Sequence, residues 1–295
     1  MTTLPAMRVT GGSPVIRALT RYPLIAFFTL AYAGSWIVWL PLVLAGNRLL
    51  PPSLAIPPGL GFLLTVLAPF AGPTLAALVV TAAIGGTAGV RALLSRYVRW
   101  RFGWPWYLVA LAGPPLLLLL SVAAVYGGEA LPPLGEQGMQ IGAAYLITLV
   151  VNLLIGSILG EEPGWRGFAL PRLQQRYGPL VGSLVLGLLW SLWHLPLILT
   201  PGNTTWTGSL ALFVALGIAL AIAHTWLSNA TRASLLAVML LHAAINTSTR
   251  LILPNVPGLS REGGNLLLVL VYGAVALLLV ALTRGRLADR AADAD

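Results

Sequence analysis

Eight apolar runs dominate the 295-residue sequence, each close to the ~20 residues an α-helix needs to cross the hydrocarbon of a bilayer. They lie at residues 23–45, 59–84, 106–126, 141–160, 180–199, 209–227, 235–253 and 265–282. Charged residues make up only 8% of the chain, against about 25% in globular domains. With 58% hydrophobic residues and a mean hydropathy of +0.88, a water-soluble core cannot hide this much apolar surface, so lipid must be part of the solvent. The expected fold class is all-α, a polytopic membrane helix bundle of about eight transmembrane helices. Pro and Gly inside the runs fit this class, because neighbouring helices can satisfy the backbone groups they free. The first run continues past the cleavage-like Ala31-Tyr32-Ala33, which reads as a retained helix rather than a signal peptide.

All 17 basic residues are arginine. They are scattered between the apolar runs, which argues for topology signals and against nucleic acid as a partner. With a cytoplasmic N-terminus, the inner segments carry 14 arginines and the outer segments three, Arg48, Arg250 and Arg261. This asymmetry predicts eight spans with both termini cytoplasmic, in a cell membrane; the Arg-, Ala- and Gly-rich composition suggests a bacterial source. The organisation expected is a cytoplasmic tail (1–21), N-terminal spans (22–140), a polar-bearing core (141–250) and a last span with its tail (251–295). A short basic amphipathic stretch, 91–101, reads as an interfacial helix on anionic headgroups. Residues 200–207 read as a short outer turn, and Glu129 and Glu136 as solvated loop charges.

Of eight acidic residues, six fall in loops or the C-terminal tail. The other two, Glu161 and Glu162, directly follow an apolar run, where ionisable groups are costly and mark function. Glu162 and Arg166 stand four apart with the acid first, the favoured orientation of a helical ion pair, so the helix continues past Glu161 with a kink at Pro163. Gly156, Gly160 and Gly164 form a small-residue stripe that admits a second helix. Tyr177-Gly178-Pro179 is a turn signal. Glu161 lies 17 residues before Gly178 and His194 lies 16 after it, so in a helical hairpin both sit ~25 Å from the turn. His242 lies ten residues, or ~15 Å, past Arg232 at the inner end of the seventh run, and with the hairpin tip projecting ~10 Å into the cytoplasm all three groups share one depth in the cytoplasmic half of the membrane. His242 and Asn246 share one helix face, as do Trp190 and His194.

These residues suit hydrolysis. Glu161 can take a proton from water and hand it to a leaving amine, and desolvation helps a carboxyl hold such a proton. His194 can share it, while His242 and Asn246 can donate to a tetrahedral oxyanion. Alternatively, Glu161, His194 and His242 could hold a zinc ion with an open water position. Cysteine is absent, which excludes a thiol nucleophile and a thiolate metal site. His224, Arg250 and Arg261 match no element; His224, near the inner end of the sixth run, reads as interfacial.

Glu161-Glu162-Pro163-Gly164-Trp165-Arg166 has the form E-E-x-x-x-R. Trp190 to His194 resembles F-x-x-x-H, and His242 to Asn246 is H-x-x-x-N. In this order, over residues 141–246, the chain resembles the CAAX-processing and bacteriocin-processing (CPBP, or abortive-infection) intramembrane proteases. Trp190 departs from the family's usual Phe. The resemblance implies Glu161, His194, His242 and Asn246 as catalytic, with Glu162 and Arg166 in support and Trp190 as the aromatic of the second element. Eukaryotic members trim the last residues of prenylated proteins; bacterial members have diverse roles.

The function expected is therefore an intramembrane endopeptidase. It would act, through Glu161-activated water, near the terminus of a membrane-associated, prenylated or lipid-attached peptide or protein. The competing class is a non-catalytic scaffold or immunity factor that keeps the fold. No H-E-x-x-H motif is present, and a carboxylate that ligates zinc is less free to act as a base. A glutamate-dependent mechanism is therefore favoured, with zinc left open as a cofactor.

Overall fold

A computed structural model describes residues 13–132, 134–201, 206 and 208–289. Among these the regular structure is helical, as the apolar runs require: in lipid a backbone must satisfy its polar groups within its own segment. α1 (Pro14–Arg21) leads into α2 (Pro23–Gly46). α3 (Pro58–Pro69) runs through a π-helical turn (Phe70–Thr74) into α4 (Leu75–Leu94). α5 (Trp104–Leu111) and α6 (Gly113–Tyr126) form a pair bent by 44°. α7 (Leu134–Leu154) is followed by α8 (Ile158–Glu162), a second π-helical turn (Pro163–Ala169), α9 (Leu170–Trp193) and α10 (Leu195–Ile198). α11 (Leu210–Ala230), α12 (Leu235–Ile252) and α13 (Arg261–Thr283) complete the bundle. Ser209, Ser234 and Ser260 cap the last three, each hydroxyl accepting a first-turn N–H.

By length and composition, six described helices can cross a membrane: Pro23–Gly46, Pro58–Val98, Gln137–Leu154, Leu210–Ala230, Leu235–Asn255 and Arg261–Thr283. The bent α5–α6 pair makes a seventh if it is one span. The remaining apolar run, 180–199, is divided between the second half of α9 and α10. Two expected elements are cut differently. The run 141–160 breaks at 155–157, between α7 and α8. The basic stretch 91–101 is no separate helix: Arg91 to Leu94 finish α4 beyond a bend at Gly86, and Ser95–Val98 add a 3-10 turn. That arm grips the second π-helical turn, where Arg96 Nη1 donates to Gly167 O at 3.0 Å. The expected turn 200–207 lies mostly outside the described residues, as does the side chain of Glu136.

Contacts define the two ends of the bundle. At one end Arg99 donates to Arg232 O, Gln174 pairs with Asn229, and Asn229 donates to Leu287 O. At the other, Gly46 meets Thr200 and Gly263 approaches Tyr126. Outward faces present Ile37, Leu120, Leu146 and Leu277, which only lipid can cover. α12 is the central helix, with 67% of its membrane-length window buried against 22% for α2 and α13 and 11% for α7. A polar side chain on α12 is therefore held in protein rather than shown to lipid.

Candidate active site

The stretch carrying Glu161 and Glu162 is positioned by close backbone approach. A Cβ on Gly160 would lie 2.8 Å from the Phe70 nitrogen, and one on Gly164 2.5 Å from Pro73 Cβ. Only glycine lets the first π-helical turn seat here, and Thr74 Oγ1 then donates to Gly160 O at 2.7 Å. Gly160 and Gly164 thus do the job read from their spacing, whereas Gly156 lies in the break between α7 and α8 and a Cβ there would meet only Asn152 of its own segment. Gly178 supplies the hairpin turn through a positive φ of 79°, which returns α9 along α8 and brings Trp190 and His194 level with Glu161.

Trp190 is the hub. Its indole N–H donates to Glu161 Oε2 at 2.9 Å. Its backbone carbonyl accepts from His194 Nδ1 at 2.9 Å. The Arg166 guanidinium stacks 4.2 Å from its ring centroid, and the His242 ring meets it edge-on at 5.5 Å. A Phe at this position would offer Glu161 no donor.

Glu162 is fully buried. Its Oε1 accepts from Arg166 Nη1 at 2.9 Å and from His242 Nδ1 at 2.7 Å. The expected Glu162–Arg166 pair forms, and it also orients a histidine that the sequence did not connect to it. The tautomers follow from the partners. A carbonyl and a carboxylate can only accept, so the Nδ1 of both His194 and His242 carries the proton. Neutral His194 then keeps a lone pair on Nε2. His242 Nε2 bears a proton only when the ring is an imidazolium.

Glu161, His194, His242 and Asn246 line one cavity of about 780 Å³. It extends from Glu161 and Trp190 to Arg250 and Arg261, at the end of the bundle where α12 connects to α13. One cavity thus gathers the four residues grouped from the sequence. Arg166 and Glu162 sit behind the cavity wall, and Trp190 forms part of it.

His224 was misjudged. It is fully buried, not interfacial, because α11 packs its inner half against α9. Its Nδ1 donates to Leu220 O at 2.7 Å, and its ring lies 5.5 Å from His242. Among the described residues, the group able to hold a metal ion is Glu162, His224 and His242, with ligand atoms within 4.8 Å. This differs from the Glu161, His194 and His242 set suggested by the sequence. Two nitrogens and a carboxylate suit zinc by element, but the surroundings do not suit a cation. Arg166 is bonded to the same carboxylate, and its own Nε and Nη2 are buried without partners beside unpartnered Glu162 Oε2 and His224 Nε2.

Comparison with known proteins bears out the resemblance over this core. Residues 141–248 match the family described as Type II CAAX prenyl endopeptidase Rce1-like. CAAX prenyl protease 2 of Methanococcus maripaludis is 30% identical over 148 residues, which cover 47% of this chain and 53% of that protein. The chain thus matches about half the length of this curated relative.

Proposed function

With an Rce1-like core at residues 141–248, we propose that the chain is an intramembrane endopeptidase hydrolysing a peptide bond near the terminus of a membrane-associated, prenylated or lipid-attached substrate. The observation that carries this reading is the convergence of Glu161, His194, His242 and Asn246 on one cavity within an apolar bundle. Water held between Glu161 and His194 Nε2 loses a proton to this pair and attacks the scissile carbonyl. Trp190 fixes one carboxylate oxygen of Glu161, leaving the other for the water. Asn246 and His242 face the developing oxyanion. On the tautomer argument His242 donates from Nε2 only as an imidazolium. Collapse of the tetrahedral intermediate returns the proton to the leaving amine. No step passes through a metal ion.

The test is turnover of quenched-fluorescence prenylated peptides by purified wild type and Glu161→Gln. Wild type cleaves, and the variant binds without cleaving. Metal-stripped wild type keeps its activity. Loss on chelation with recovery on stoichiometric zinc would overturn the glutamate-dependent mechanism in favour of a metalloprotease. Cleavage by Glu161→Gln at the wild-type rate would remove Glu161 from the chemistry.

A further inference from the structure

The basic arm that finishes α4 fastens to the elements that carry Glu161 and His242. Tyr97 Oη donates to Leu159 O of α8 at 2.9 Å. Arg96 Nη1 donates to Gly167 O of the second π-helical turn. Arg99 Nη1 donates to Arg232 O at 2.9 Å, and Arg99 O accepts from Ser234 Oγ at 2.6 Å. Ser234 is the cap of α12, the helix of His242 and Asn246. Residues 96–99 therefore tie the helix of Glu161 to the helix of His242. The same patch is densely cationic. Arg172 Nη1 donates to Phe168 O at 3.0 Å, the carbonyl next to the one Arg96 holds, and its guanidinium lies 3.8 Å from the Phe168 ring centroid. Successive carbonyls bring the two guanidiniums to one place. Each spends a single N–H there, which leaves the rest of its fork for a ligand, and Arg96 Nε is buried without a partner. Among the described residues neither arginine makes an ion pair. The charges that bear on them are arginine charges, that of Arg96 on Arg172 and that of Arg99 on Arg96. Like charges held this close repel, and an anion between them turns repulsion into attraction.

The surroundings identify the anion. Val98, Trp100 and Trp104 belong to the same stretch and stand 73%, 57% and 72% exposed, and exposed indoles beside arginines belong at the headgroup level of a bilayer. A soluble anion gains nothing from these side chains. A phospholipid sets its phosphate against the arginines and its glycerol and acyl chains beside the indoles. The unesterified oxygens of a phosphodiester also match the guanidinium fork. We propose that Arg96, Arg99 and Arg172 bind the phosphate of an anionic phospholipid, and that the bound lipid locks the arm across α8, the π-helical turn and α12. The arm meets α12 at its first turn, whereas the cavity opens where α12 connects to α13. The lipid therefore acts on the polar groups of the cavity by holding their helices, without entering it. The lipid site stands apart from the protease reading; only its effect on turnover rests on that reading.

Binding can be read apart from cleavage. Full-length protein is reconstituted in nanodiscs of phosphatidylcholine, with or without phosphatidylglycerol, and retained lipid is read by native mass spectrometry after transfer to neutral detergent. Wild type should retain phosphatidylglycerol over phosphatidylcholine. Arg96→Gln with Arg172→Gln should weaken that retention by about 30-fold, at about fivefold per arginine near an anionic surface. The control is Arg91→Gln with Arg101→Gln, which removes the same charge from the same stretch but leaves both carbonyl bonds in place. Equal retention of the two lipids by wild type would overturn the site without recourse to any variant. An equal loss in the control pair would overturn it in favour of net charge, and displacement of the lipid by inorganic phosphate would overturn it in favour of a soluble anion. The lock is read on turnover of an uncharged prenylated peptide. Wild type should cleave at least about fivefold faster with phosphatidylglycerol present, the low end of coupling between sites. The glutamine pair should lose that gain while keeping the wild-type melting temperature in phosphatidylcholine. Selective retention with equal turnover in both discs would overturn the lock. Selective retention by a wild type that cleaves in neither disc would keep the site and sink the protease reading, and cleavage without selective retention would do the reverse.

Discussion

Glu162→Gln tests the buried relay behind the cavity. The carboxylate is fully buried, and one oxygen holds both Arg166 Nη1 at 2.9 Å and His242 Nδ1 at 2.7 Å. Glutamine keeps the shape and one acceptor but removes the charge. Arg166, 1% exposed, is then an uncompensated buried cation, a defect that costs about 3–5 kcal/mol. His242 also loses the charged acceptor that fixes its ring orientation and tautomer. Turnover should fall by ~100-fold or more, the scale for losing an oxyanion donor. Adding Arg166→Leu separates the two effects. It removes the lone cation, so unfolding in a denaturant titration should recover most of the loss; the stacking of Arg166 on Trp190 at 4.2 Å limits the recovery. Turnover should stay low, because His242 still lacks its carboxylate. Recovery of turnover in the double variant would refute the relay, and so would Glu162→Gln with wild-type stability.

Three further outcomes follow from the same geometry. Asn246→Ala should lower turnover by ~100-fold with little change in peptide affinity; an affinity loss equal to the turnover loss would make Asn246 a binding residue. Trp190→Phe, which restores the family's usual residue, should lower turnover by ~10-fold or more by removing the indole donor from a buried carboxylate, and unchanged turnover would make that bond incidental. Because the chain contains no cysteine, Arg261→Cys gives a single labelling site. With both termini cytoplasmic, as the arginine asymmetry predicts, a membrane-impermeant maleimide should react with it from outside intact cells. Labelling only after lysis would invert the topology.

What could be read from the sequence was set by local periodicity. Spacing of four placed Glu162 on Arg166 and His242 beside Asn246, and the Gly178 turn allowed the depth of Glu161 and His194 to be counted from a common origin. These inferences need only the helical rise and a located turn. The partner of His242 was not legible. It lies 80 residues away, on Glu162, an acid whose spacing had already matched it to Arg166. The depth of His224 is hidden for a related reason: nearness to the end of an apolar run does not mean nearness to water. The first turns of α9 cover that end, where Gln174 pairs with Asn229, so distance along the helix no longer measures exposure. A cue was present in the spacing of Gly217, Ala221, His224 and Ser228, which shares one helix face and includes small residues. Gly187 of α9 packs on that face, where a Cβ would lie 2.6 Å from Ile218 Cα. A histidine on such a stripe faces the neighbouring helix, and here that neighbour carries Trp190. The donor role of Trp190 is illegible for the same reason. Aromatic size is legible in sequence, whereas the direction of an indole N–H is fixed only once α9 folds back against Glu161.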